Sequence, residues 1–150
     1  ADYRAKRNPV LETLKKDLAK GYLDETVTLG DHKYKLTTLT EDEETWADTY
    51  TRTNSAASMF SSRRAPRLAG SIKEIDGMLV SDLFLFPDDM PDLVKNRLNE
   101  NPIEKRYWVR EQLLLFLLED SNRTYITKLY ETLSKLDEKR DAAVAEIPKA

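Results

Sequence analysis

The run LLLFLL at residues 113–118 constrains the fold of this chain more than any other stretch. It continues a helical pattern that starts after Asn101-Pro102, a pair that breaks the preceding helix. A helix that is apolar on every face has to be covered on every face. The cover can come from the chain alone, or from the chain together with a second molecule. We expect the second, because the last helix carries a heptad-like apolar stripe that suits a facing helix.

The composition is that of one folded, soluble domain. The 150 residues are 40% hydrophobic and 34% charged, and a chain of this length can bury roughly 70% of its unfolded surface. The net charge of -3 creates no field that would attract nucleic acid or anionic lipid. Six apolar residues are too few for a membrane span, and the first residues lack the apolar region of a signal peptide. We expect a soluble intracellular protein.

The first forty residues predict a short helix followed by a β-hairpin. Asn8-Pro9 is a favourable helix start and Gly21 a favourable stop. The apolar face between them consists of Val10, Leu11, Leu14 and Leu18. Alternating residues on both sides of Gly30-Asp31 then predict the hairpin. Its candidate buried residues are Val27, Leu29, Tyr34 and Leu36.

Helical patterns dominate the rest of the chain. Thr40 and Glu43 have the spacing of a capping box at a helix start. In the last helix the apolar residues follow heptad spacing, which suits a facing helix. They are Ile126, Leu129, Leu133 and Leu136.

The stretch RRAPRLAGSIKEI, residues 63–75, also predicts a helix. Leu68, Ile72 and Ile75 recur in it at helical spacing. Asp76-Gly77 is expected to end this helix and to reverse the chain, because glycine tolerates left-handed backbone angles.

The predicted fold class is mainly α: a helical domain with one N-terminal β-hairpin and a long C-terminal helix. We expect a single domain over residues 1–150. Its segments are an N-terminal helix (1–24), the hairpin (25–39), a helical core (40–118) and the C-terminal helix (119–150).

The sequence offers little for catalysis, so we assign no catalytic, cofactor-binding or metal-binding residue. The absence of cysteine excludes disulfides, thiolate zinc sites and thiol nucleophiles. The single histidine, His32, lies beside Asp31 in the predicted hairpin turn, and a small enzyme that uses this pair is the minor alternative. The acidic stretch at residues 41–44 lacks the spacing of a calcium loop and suits the first turn of a helix. We expect a non-enzymatic protein without a cofactor.

A further alternative is a nucleic-acid-binding regulator. Arg63, Arg64 and Arg67 stand close together in the sequence, and three arginines can contact phosphates. A pI near 5.3 argues against a nucleic-acid surface. Pairing of these arginines with the acidic stretch at residues 41–44 explains them equally well.

The stretch LAGSIKEIDGMLVSDLF, residues 68–84, resembles a pattern found in small bacteriophage tail proteins. These are the tail assembly chaperones and the baseplate hub accessory proteins of the T4-like phages. Their helix has the pattern LAxxIxxIDGxxVxxLF, and it follows a stretch similar to VTLGDHKYKLTTLTEDEE. The matching positions are Leu68, Ala69, Ile72, Ile75, Asp76, Gly77, Val80, Leu83 and Phe84. The likeness extends over roughly residues 25–118, and the charged C-terminal helix departs from it.

The resemblance implies a non-enzymatic role in which the protein binds another phage tail or baseplate protein. Binding is transient for an assembly chaperone, in the host cytoplasm, and permanent for a baseplate or neck adaptor in the virion. Apolar helical surfaces would make the contact. The predicted partner-binding residues are Val80, Leu83, Phe84, Phe86, Leu129, Leu133 and Leu136, and a place in the chain's own core is the open alternative for each of them. A homo-oligomer stays open as a further partner, and neither nucleic acid nor a membrane is expected.

Overall fold

The computed structural model of the chain describes residues 3–52, 59–119 and 123–148. These residues form seven helices and four strands. The helices are α1 (Pro9–Leu18), α2 (Glu41–Arg52), α3 (Met59–Ser71), α4 (Val80–Leu83), α5 (Asp92–Glu100), α6 (Pro102–Leu118) and α7 (Arg123–Ala145). The strands are β1 (Asp24–Leu29), β2 (His32–Thr37), β3 (Ile72–Ile75) and β4 (Met78–Leu79). The prediction of a mainly helical domain is confirmed.

The N-terminal hairpin is present, but it is only half of the sheet. β1 and β2 pair antiparallel around a turn at Gly30, whose φ of 62° is left-handed. Tyr34 and Leu36 are buried, and Val27 and Leu29 pack against the same core. β3 and β4 extend the hairpin into a four-stranded antiparallel sheet in the order β1-β2-β3-β4. The prediction of a single hairpin therefore missed two strands.

The expected helix over residues 63–75 is wrong in its last turn. α3 ends at Ser71, and the chain passes directly into β3. Asp76 and Gly77 both have left-handed φ values, 53° and 80°, which is the backbone of the type I′ turn that joins two strands. The Asp-Gly pair thus closes a second hairpin rather than ending a helix.

The core lies between the sheet and three helices, α3, α6 and α7. α3 packs against both α6 and α7, and α7 also contacts the first two strands. In the apolar run of α6, Leu113, Leu114 and Leu117 are buried in this core. The other three residues of the run, Leu115, Phe116 and Leu118, are exposed. The chain therefore covers one face of its most apolar helix and leaves another face uncovered.

The heptad-spaced leucines of α7 belong to the same core. Leu129, Leu133 and Leu136 are all buried, and Leu133 has no exposed surface. Their facing helix is α3 of the same chain. Val80 is also buried in this core. All four were predicted to bind a partner or to belong to the chain's own core, and in this fold their own chain covers them.

α1 has the opposite character, since none of its residues is buried. Asn8 caps it, with its side-chain Oδ1 accepting a hydrogen bond of 2.9 Å from Val10 N. The predicted apolar face forms, but its four side chains are 46% to 76% exposed. They are Val10, Leu11, Leu14 and Leu18. The helices of the described residues include none that is both long and apolar enough to span a membrane.

Candidate interaction surface

Three of the predicted contact residues, Leu83, Phe84 and Phe86, remain at the surface where the chain leaves β4. Leu83 is 38% exposed at the end of α4. Phe84 is half-buried, with its ring centroid 6.2 Å from that of Phe116 on α6 in an edge-on arrangement. Phe86 packs its ring on Trp108 with centroids 5.0 Å apart. Phe84 and Phe86 therefore fasten this segment to α6, whereas Leu83 is exposed.

We call the surface formed by Leu83, Phe84, Leu85 and Phe116 the elbow patch. Leu85 is 83% exposed and Phe116 is 58% exposed. The contact between Phe84 and Phe116 joins the two sides of the patch, one after α4 and one on α6. The prediction did not include Phe116. The sequence signal for it was the α6 run that is apolar on every face.

Acidic side chains border the elbow patch along the chain. Asp82, Asp88, Asp89 and Asp92 are all exposed. Residues 82–93 contain no lysine or arginine. The patch is thus an apolar surface within a segment of strongly negative charge.

An open groove of about 780 Å³ lies next to the elbow patch. Its walls come from the start of α2, from β3 through α4, and from the first half of α6. The apolar side chains along it include Ile72, Leu79, Val80, Ile103 and Val109. α4 connects the two regions, since Val80 and Ser81 line the groove and Leu83 belongs to the elbow patch.

The floor of the groove holds Arg110, which is only 5% exposed. Its Cζ lies 5.2 Å from the centroid of the Trp46 ring and 5.0 Å from that of Tyr107. Its Nη1 is 3.8 Å from Asp42 Oδ2, and its Nη2 is 3.8 Å from Glu43 Oε2. Tyr107 donates a hydrogen bond to Asp42, and this bond raises the pKa of the Tyr107 hydroxyl.

Glu43 connects this floor to the start of α2. Its Oε1 accepts a hydrogen bond of 2.9 Å from Thr40 N, and its own N–H donates to Thr40 Oγ1 at 3.3 Å. The predicted capping box is therefore confirmed. Glu43 is also buried, and its other oxygen pairs with the Lys73 ammonium group. Two acids and two bases balance in this network, so it stabilises the floor without leaving a net charge there.

His32 does not pair with Asp31 as the enzyme alternative required. Its Nδ1 lies 2.5 Å from Oδ2 of Asp76, in the turn between β3 and β4. The hydrogen bond to Asp76, with the aspartate's charge, raises the pKa of His32 and lowers that of Asp76. Asp76 Oδ1 also accepts a 2.8 Å hydrogen bond from Lys33 N. These contacts tie the second hairpin turn to β2, which is a structural role.

Arg64 and Arg67 face their own protein rather than an external phosphate. Arg64 Nη1 donates to Thr127 Oγ1 at 2.7 Å. Arg67 Nη2 lies 3.4 Å from Glu44 and 3.5 Å from Asp137. The expected pairing with the acidic stretch is therefore present for Arg67. The Arg63 side chain lies outside the described part of the structure.

Within the described ranges, no three histidine, aspartate or glutamate side chains are grouped so that they could hold a metal ion. Comparison of the chain with protein-family models, curated proteins and solved structures gave no match. The elbow patch and its neighbouring groove are therefore interpreted from their own geometry.

Proposed function

We propose that this protein is a non-enzymatic assembly protein that binds another phage tail or baseplate protein through the elbow patch. The observation that supports binding is the exposure of Leu83, Leu85 and Phe116 beside the ring contact between Phe84 and Phe116. The resemblance of residues 68–84 to small tail proteins supports the phage context.

The elbow patch has the properties of a protein-binding surface rather than of a ligand pocket. Exposed aromatic and leucine side chains gain about 25 cal/mol for each Å² that a partner covers. Phe84 already packs on Phe116, and Phe86 on Trp108, so a partner would not have to order this segment. Pre-organisation of this kind lowers the entropic cost of binding. The groove beside the patch offers room for an adjoining segment of the same partner.

Capture of partners from phage-infected cells tests this proposal. The tagged chain should retain a tail or baseplate protein, identified by mass spectrometry. Leu85→Asp and Phe116→Asp should each remove that protein, because a buried unpaired carboxylate is costly. Met78→Asp is the matched control, because Met78 is about as exposed as Phe116 and lies on β4, outside the elbow patch and the groove. Capture that is unchanged in both patch variants would refute the proposal.

A second experiment separates a chaperone from a permanent virion component. A chaperone acts in the host cytoplasm and is absent from purified particles. A baseplate or neck adaptor is present in the particles at a fixed ratio to the other tail proteins. Quantitative mass spectrometry of purified virions therefore assigns the protein to one of these two roles.

A further inference from the structure

We propose that α1 of one copy of this chain binds the elbow patch of a second copy, so that copies join head to tail. A second copy of the chain is thus the occupant of the elbow patch. This inference rests on the proposed function only in taking the elbow patch as a binding surface.

α1 needs a partner on its apolar face. A helix of ten residues is marginal in water by itself, and helices in proteins are stabilised mainly by packing of their apolar face. Yet no residue of α1 is buried, and the side chains of Leu14 and Leu18 are about half and three-quarters exposed. The chain thus builds an amphipathic helix with caps at its start and then leaves its apolar face uncovered.

Charge identifies a second copy as the occupant. Residues 3–22 contain six lysines or arginines and two acids, which makes the α1 segment strongly positive. Residues 82–93 contain four aspartates and no base, which makes the segment that carries Leu83 and Leu85 negative. One base reaches this segment from α6, since Lys105 Nζ lies 5.5 Å from the centroid of the Phe86 ring. Each surface combines exposed leucines with one sign of charge, and complementary charges both favour encounter and fix the orientation of two surfaces.

Residues that follow α1 attach its end to the sheet and to α7, and Tyr22 lines the groove. Thr38 Oγ1 donates a 2.9 Å hydrogen bond to Gly21 O and accepts one of 3.0 Å from Leu23 N. Gly21 has a left-handed φ of 88°, and a Cβ there would lie 2.9 Å from side-chain atoms of Arg140 and Val144. These contacts hold the end of α1 against α7 and the sheet, while the elbow patch stays open.

Every copy therefore offers one α1 face and one elbow patch. A contact between two different surfaces is heterologous, and it leaves a free α1 at one end and a free patch at the other. Such contacts propagate into rings or open chains. The contact area of a single short helix is small, so the association should be weak and sensitive to salt.

Sedimentation velocity of the full chain tests the inference at concentrations from about 1 to about 300 µM, a range that covers weak interfaces. The wild-type chain should form species larger than dimers, and about 0.5 M salt should reduce them because it screens the charges. Leu14→Asp and Leu85→Asp should each weaken association at least about tenfold. Both residues are exposed, so circular dichroism should show an unchanged fold. Met78→Asp, an exposed site on β4 outside α1, the elbow patch and the groove, is the control and should associate like the wild-type chain.

A mixture of the Leu14→Asp and Leu85→Asp chains gives the decisive test of the head-to-tail contact. The Leu14→Asp chain keeps its elbow patch, and the Leu85→Asp chain keeps its α1. An equimolar mixture should therefore form a one-to-one heterodimer and nothing larger, although each variant alone is monomeric. A mixture that stays monomeric, or that forms large assemblies, would overturn the head-to-tail contact.

The remaining outcomes are equally informative. A wild-type chain that stays monomeric throughout overturns the inference, and if it still captures a tail protein, the proposed function stands. A wild-type chain that self-associates but captures no tail protein contradicts the proposed function and leaves the inference standing. The wild-type chain could instead stay monomeric and sediment with phosphatidylglycerol vesicles. If Leu14→Asp abolishes this vesicle binding, α1 binds an anionic lipid surface and the inference is overturned.

Discussion

Leu133→Ala tests whether Leu133 stabilises the chain's own core or contributes to a partner-binding surface. Leu133 is fully buried on α7, and its neighbours Leu129 and Leu136 are buried with it. Replacement by alanine removes three carbon atoms, which costs about 2.4 kcal/mol at about 0.8 kcal/mol for each. The cavity that remains adds to this, and substitutions of this type in cores cost 2–5 kcal/mol in general. We expect a loss of about 3–4 kcal/mol in the free energy of unfolding.

Urea denaturation followed by circular dichroism measures this loss directly. For a chain of this length it corresponds to a decrease of about 10 °C in the melting temperature. Leu93→Ala is the matched control, because Leu93 is one of the most exposed leucines and its truncation should change stability by less than about 0.5 kcal/mol. A Leu133→Ala protein that unfolds like the wild-type protein but loses a binding partner would refute the packing of α7 described here.

Three further predictions concern the turn, the histidine and the groove floor. Gly77→Val should destabilise the protein by about 1–2 kcal/mol in a thermal melt, and through backbone strain alone, since a Cβ at Gly77 meets no atom within 4 Å. Gly77→Asn should cost less in the same measurement, because asparagine tolerates left-handed backbone angles. The imidazole of His32 should titrate above its ordinary pKa of 6.5 in an NMR titration, and Asp76→Asn should move the pKa back toward that value. Because the pKa of His32 is raised in the folded state, the His32–Asp76 pair stabilises the fold fully below pH 6.5, and this contribution is lost as the pH rises through the raised pKa. At acid pH the contribution is lost as the pH falls through the lowered pKa of Asp76. Arg110→Ala should cost about 1–2 kcal/mol in urea denaturation, because the contacts of Arg110 with the Trp46 and Tyr107 rings are lost while Glu43 keeps Lys73 as its counter-charge, and an unchanged midpoint would show that these contacts contribute nothing.

Local signals in the sequence predicted the parts of the fold that local interactions determine. Thr40 and Glu43 form the capping box because both partners lie within one helical turn. Asn8 caps α1 for the same reason. The alternation around Gly30 identified the first hairpin, because the pattern and the turn pointed to the same structure.

The second hairpin was missed because two local signals disagreed. Ile72 and Ile75 are three residues apart, which fits a helical face, and β3 is too short to show an alternating pattern. The Asp76-Gly77 pair, which favours a hairpin turn, was the better indicator. The pairing of β3 with β2 decides the outcome, and such a contact between distant segments leaves no periodic trace in the sequence.

The candidate surface was predictable only in part, since exposure depends on which elements pack together. The heptad spacing of Leu129 and Leu133 correctly indicated a facing helix, but it could not show that α3 of the same chain supplies it. Leu83 and Phe84 were predicted from the apolar density of their segment. Phe116 became part of the patch because α6 is covered on one face only.

The order of strands in the sheet also bears on how the chain is made. Leu36 of β2 pairs with Ile72 of β3, although all of α2 and α3 lies between them. During synthesis the first hairpin therefore emerges from the ribosome well before its neighbouring strand exists. Until then one side of β2 presents unpaired backbone groups, which can template pairing with other nascent chains. The interval between translation of residue 37 and translation of residue 75 is when this protein most needs protection from aggregation.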